Sequence, residues 1–329
     1  ESGMLEDLFT HNAEEFINNE ILGGIDSILK VNNGVYAIPT VNEPVGIMIN
    51  KDMLEEQGII IPQNWTMNDF IEISRKLSGQ KDGKKVYGSS VYYDALPLGV
   101  PMATLGGDYL YKSEEESNFD HPAFNVNTLL KEMMAEEIAM PYQEVFSRKL
   151  EQYSHPGFLN GEIAMMPFSA WMLRYVNDLE NFPHEFITTF APLPRIDENT
   201  ESPYQSILNN YICMNSNSEN KDEAWEFMKF WITEGSRHIA KMPAWNNANE
   251  DEIIRVILGD NPEKLFDVEA YKNVMLNDDL KYVVTTKTKA LPEIMQIYKE
   301  ESQKFFLNAV SPEEYYTNLK TKADTALKK

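Results

Sequence analysis

Gly34-Val35-Tyr36-Ala37-Ile38-Pro39-Thr40 and Val45-Gly46-Ile47-Met48-Ile49 are two short, β-rich runs on either side of Val41-Asn42-Glu43-Pro44. Branched and aromatic side chains suit a pleated strand, and Asn and Pro suit a turn. The spacing therefore predicts two strands joined by a polar turn. Further along, Thr66 is placed to cap a helix, with Asp69 three residues on as its reciprocal partner and Phe70, Ile73 and Leu77 repeating behind it. After Ser218, the residues Ala224, Phe227, Met228 and Trp231 fall at i, i+3, i+4 and i+7, which predicts an inward apolar stripe ended by Gly235. Ser311-Pro312-Glu313-Glu314 starts a third helix, with Tyr315 and Leu319 facing inward. Residues 187–194 (ITTFAPLP) read as a strand closed by prolines. Strands alternating with helices indicate an α/β fold.

The 329 residues suit two domains, and 43% hydrophobic content suffices for real cores. No run approaches the length of about 18 apolar residues that a membrane span needs. With 29 basic and 52 acidic side chains, the formal charge of −23 repels phosphate backbones and anionic lipid headgroups. No nucleic-acid or membrane-surface partner is expected. Cys213 stands alone and reads as a small buried hydrophobe, so no intrachain disulfide is available.

No phosphate-binding glycine loop, no GxSxG and no HExxH is present, and His11, His121, His155, His184 and His238 are scattered. No metal or cofactor is expected. A glycosidase pair cannot be judged by counting, because so acidic a chain always offers carboxylates.

The segment Gly34–Thr40, followed by Asn50-Lys51-Asp52-Met53-Leu54, Gly58-Ile59, Pro62 and Trp65-Thr66-Met67-Asn68-Asp69-Phe70, closely resembles family 1 extracellular solute-binding proteins. Those are the sugar receptors of bacterial ABC importers. Phe158-Leu159-Asn160-Gly161-Glu162-Ile163-Ala164-Met165 and Asn215-Ser216-Asn217-Ser218 with Ala224-Trp225-Glu226-Phe227 are similar to two further family segments in the expected order. The resemblance implies a two-lobed periplasmic-binding-protein-like fold of type II. Residues 1–41 would belong to lobe 1, 42–208 to lobe 2, and 209–329 to the hinge returns, the rest of lobe 1 and the C-terminal helices. Hinge crossings would fall near residues 40–45 and 208–211, with a return after Trp245. Ser2-Gly3-Met4-Leu5-Glu6-Asp7-Leu8 resembles a stretch beyond the first strands of lobe 1, so roughly 100 residues of that lobe are expected ahead of Glu1.

The resemblance also implies a monomeric receptor that passes a carbohydrate to permease subunits, working at the extracellular face of the bacterial membrane, which it touches only through a lipid anchor, or in the periplasm. Sugars offer C–H faces ringed by hydroxyls, so a receptor needs aromatic platforms beside amide and carboxylate side chains. By position, Trp171 corresponds to a stacking aromatic, and Ser169 precedes it. Tyr92, Tyr93 and Trp245 lie in loops that approach ligand in relatives. Glu43 and Asn42 in the predicted turn, with Asn209 and Asn210 before a strand, are hydroxyl partners. Each has a plainer reading: Trp171 as a buried helix start, the tyrosines as packing, the Asn-Glu pair as an ordinary turn. Trp65, Trp225 and Trp231 read as structural. Two other functions stay open on sequence: a glycoside-processing enzyme, and the same scaffold binding a peptide, polyamine or anion.

Overall fold

The computed structural model describes residues 3–81, 83–91, 95–151, 153–277 and 279–329. Among the described residues the strands are β1 (Ile38–Asn50), β2 (Gly79–Lys81), β3 (Lys84–Ser89), β4 (Ile163–Ser169), β5 (Thr188–Pro192), β6 (Ser206–Ile212) and β7 (Tyr282–Val283). They follow the order β2-β3-β4-β1-β6-β7, with β5 also paired to β1. β3–β4 and β6–β7 are parallel; the other pairs are antiparallel.

β1 corrects one expectation. The predicted turn at Val41-Asn42-Glu43-Pro44 is part of a continuous 13-residue strand. Its first part pairs with β6, Ile38 opposite Ile212 through Pro44 opposite Ser206. Its second part pairs with β4 on one side and β5 on the other, starting at Val45 and Gly46. The proline is tolerated because of the ladder's alternation. Val45 donates to the Gln205 carbonyl at 3.0 Å, so the neighbouring Pro44 turns its missing N–H away from β6. Polar residues and a proline mark a change of partners here, not a reversal of the chain.

Three cores follow from this strand. Ile38 joins Leu8, Ile17, Trp225 and Met228 in one. Side chains alternate across the second part of β1, so Ile47 and Ile49 enter a core with Trp65, Phe70, Tyr298 and Phe305, while Met48 enters another with Phe168, Phe190 and Tyr271. β1, β6 and β7 run side by side at one level, with Pro44 opposite Ser206 and Ser206 opposite Tyr282.

Both predicted capping boxes are present, at Thr66 with Asp69 and at Ser311 with Glu314. Behind them Phe70, Ile73 and Leu77, and Tyr315 and Leu319, are buried as the periodicity requires. The helix Lys221–His238 departs from its reading in two ways. Its buried stripe is Trp225, Met228 and Ile232, whereas Phe227 is 56% exposed and Trp231 stacks on Phe227 at 6.2 Å. Nor does Gly235 end the helix; the Trp231 ring lies where a Cβ would be, 2.6 Å away. Cys213 is exposed rather than buried, because neighbouring Met214 takes the inward position. Trp65 is structural as expected: it is 1% exposed and its Nε1 donates to the Pro192 carbonyl at 2.9 Å.

Candidate functional site

Where β1 changes partners, strand alternation sorts the polar residues onto two faces. On one face the Glu43 carboxylate accepts from Asn209 Nδ2 at 3.0 Å and from Lys241 Nζ at 3.4 Å. Val45 and Ile207 share that face, and Ser169 stands opposite Val45 on β4. These three border a hollow of about 300 Å³ that runs back between Leu98, Met102 and Met295. Glu43 is 14% exposed, so it is sheltered without being sealed off.

Asn42 belongs to the opposite face. Its Oδ1 accepts from Ser206 Oγ at 2.5 Å and its Nδ2 meets Met242 Sδ at 3.5 Å. Asn42, Ser206 and Trp245 line a separate hollow of about 370 Å³. The indole of Trp245 is tied off by Glu20, Nε1 to Oε2 at 2.7 Å. A strand cannot present adjacent side chains to one ligand, so Asn42 and Glu43 do not meet in a single site.

Asn210 shapes the backbone. It adopts φ 51°, a left-handed conformation Asn tolerates, and its carbonyl accepts from the Thr40 hydroxyl at 2.7 Å. Its N–H donates to Asn209 Oδ1 at 2.8 Å, which holds the Asn209 amide with its nitrogen toward Glu43.

Trp171 lies in the short 3-10 turn Ala170–Met172, which leaves the end of β4 and rests against β1. Its half-buried ring meets Tyr153 and Tyr175 edge-on at 5.9 and 6.2 Å. The Arg174 guanidinium stands 5.6 Å from the Trp171 centroid and 4.8 Å from that of Tyr175, and donates to the Tyr175 phenol at 3.0 Å. His155 stacks beneath Tyr175 at 3.8 Å. Burial, helped by the charge of Arg174, pushes His155 down to about 4, so this stack is neutral at physiological pH. The aromatic corner is thus braced from below and capped by a cation.

Tyr92 and Tyr93 lie outside the described residues. The structure adds Lys241, Arg174, Tyr175 and the apolar wall of Leu98, Met102 and Met295, none of which the sequence reading singled out. Arg174 and Tyr175 follow Trp171 closely enough that an aromatic cluster was open to notice. Lys241 and the wall are brought in from distant segments, with no local signal. Among the described residues no group of three or more His, Cys, Asp or Glu is placed to hold a metal, and no helix is long and apolar enough to cross a membrane.

Three solved structures illustrate the fold. A sugar transporter from Rhizobium etli in an open conformation is 18% identical, with a TM-score of 0.74 over 99% of this chain and 80% of that one. An ABC substrate-binding protein from Listeria monocytogenes in complex with cycloalternan is 18% identical, with a TM-score of 0.70 over 99% and 81%. The sugar-binding protein of the phytopathogen Xanthomonas citri is 17% identical, with a TM-score of 0.72 over 99% and 79%. At that identity they establish the two-lobed type II architecture. The sequence pattern of bacterial extracellular solute-binding proteins matches residues 1–237, most of the chain. This chain therefore belongs to the bacterial extracellular solute-binding protein family.

Proposed function

We propose that the protein captures a sugar or oligosaccharide outside the cell and delivers it to the permease of an ABC importer. The observation that carries this reading is the Glu43–Asn209 pair beside a largely apolar hollow. A carboxylate has about four lone-pair sites, so Glu43 keeps acceptor capacity for ligand hydroxyls after serving Asn209 and Lys241. The apolar wall and the braced Trp171 suit C–H faces. Two of the related structures are described as a sugar transporter and a sugar-binding protein, and the third is in complex with cycloalternan, which supports the same class of cargo.

We read the protein as a receptor without turnover. Membership of a solute-binding family supports this reading. The lobes would meet where β1 changes partners, and closure would bend β1, β6 and β7 together. A monomer held at the outer membrane face by a lipid anchor is the arrangement the family resemblance favours.

A thermal-shift screen of the whole chain against mono- and oligosaccharides, amino acids, peptides and polyamines tests this. A ligand specific for the native state contributes about 2.7 kcal/mol at a hundred times its Kd. Trp171→Ala should weaken binding of the best sugar by roughly 10- to 100-fold. A shift with a peptide or polyamine and none with any saccharide would replace the sugar reading with the non-sugar one.

A further inference from the structure

The hollow behind Ser169 is walled by Leu98, Met102, Phe168, Leu193, Ile207 and Met295. Among the described residues, Ser169 and Tyr109 supply its polar side chains. Leu98, Phe168 and Leu193 are 4%, 2% and 2% exposed and form the floor. Val45, Met102, Ile207 and Met295 keep part of their surface free and form the mouth, and Val45 and Ile207 share the sheet face of Glu43 and Asn209. At about 300 Å³ it stands at the lower end of cavities that hold small molecules.

A densely hydroxylated ring is a poor fit for such a floor. Each hydroxyl drawn in would give up water and meet few partners, a penalty larger than an ordinary hydrogen bond returns. A methyl, alkyl or aryl group loses nothing by leaving water and gains close contact. The thioethers of Met102 and Met295 at the mouth adapt to irregular apolar shapes.

We infer that this hollow receives an apolar substituent of the cargo, so that the ligand is a saccharide carrying a deoxy, alkyl or aryl group. The inference rests on the carbohydrate reading above. Glu43 and Asn209 hold the hydroxylated part at the mouth while the apolar group occupies the floor.

Isothermal titration of the whole chain with matched pairs tests it. The probes are hexoses and their 6-deoxy forms in the gluco, galacto and manno series, and each hexose beside its p-nitrophenyl glycoside. In at least one series the apolar member binds roughly tenfold or more tightly than its partner. Met295→Trp, which fills the hollow, collapses that advantage. Met102→Gln, which sets an amide in the wall, reduces it too and serves if the first variant fails to fold. Hydroxylated members binding as well as apolar ones, or an advantage that survives both substitutions, overturns the inference and leaves the carbohydrate reading standing. Binding of unsubstituted oligosaccharides with no response from any pair does the same. No heat from any saccharide removes the carbohydrate reading itself.

Discussion

The two parts of β1 share one backbone and differ in their surroundings. Residues 45–50 have β4 along one edge and β5 along the other, and their side chains enter two separate cores. Residues 38–44 have β6 along one edge and only a short stretch along the other, where Asn42 donates to the Met242 carbonyl and Ala244 to that of Thr40. The well-flanked part is almost wholly aliphatic, and the lightly flanked part carries Thr40, Asn42 and Glu43. A strand held on both edges and both faces serves as a fixed beam. One held by a single ladder can carry polar groups and bend. In the proposed reading, the recognition chemistry stands at the end of the beam.

Substitutions along β1 should grade this contrast. Ile47→Ala, in the fixed part and 0% exposed, should cost about 2 to 5 kcal/mol in urea unfolding. A loss below about 1 kcal/mol would mean the beam is no tighter than the hinge. Asn42→Ala leaves the Ser206 hydroxyl, 1% exposed, without its partner and should cost about 1 to 3 kcal/mol.

The far end of the beam gives a pH-dependent version. Burial would raise the Asp267 carboxyl, but Lys51 at 2.8 Å, the Ala270 N–H and the Thr189 hydroxyl outweigh it and hold the group below the usual carboxylate range. A depressed folded pKa gives stability that is full above the unfolded value of about 3.9 and lost as pH falls through the folded one. Asp267→Asn should therefore lower the melting temperature at neutral pH and flatten its fall on acidification. An unchanged acid limb would show that the pair does not anchor this end. The smallest effect on stability belongs to the site. Glu43→Gln should change unfolding by no more than about 1 kcal/mol, because its ion pair with Lys241 is partly exposed. Sugar affinity should nonetheless fall roughly tenfold as a charged hydrogen bond becomes neutral. A large stability loss with intact affinity would make Glu43 a structural residue.

Local chemistry was legible in the sequence. The Thr66 and Ser311 helix starts each depend on side chains three residues apart, and both form as read. What failed depended on packing between distant segments. An Asn-Glu-Pro run looks the same whether the chain reverses or a strand changes partners, and only β6, far downstream, decides. On the helix Lys221–His238, aromatic residues flank the true stripe closely enough that periodicity alone could not choose between faces. The candidate site was legible as residue types and not as a grouping. Glu43, Asn209 and Ser169 fall on one face of the crossing, while Asn42 and Trp245 line the other.

The crossing also sets a schedule for the growing chain. Asn42 finds its partner Ser206 only 164 residues later. At about 5 to 20 residues per second of synthesis, the first part of β1 waits roughly ten to thirty seconds for its ladder. Over that interval it is an unclaimed edge, and an unclaimed edge invites the wrong strand. Pro39 lies an even number of residues from Val45, which donates to β6, so its missing donor faces that edge near its start. Pro39 thus discourages premature pairing in the newborn polypeptide.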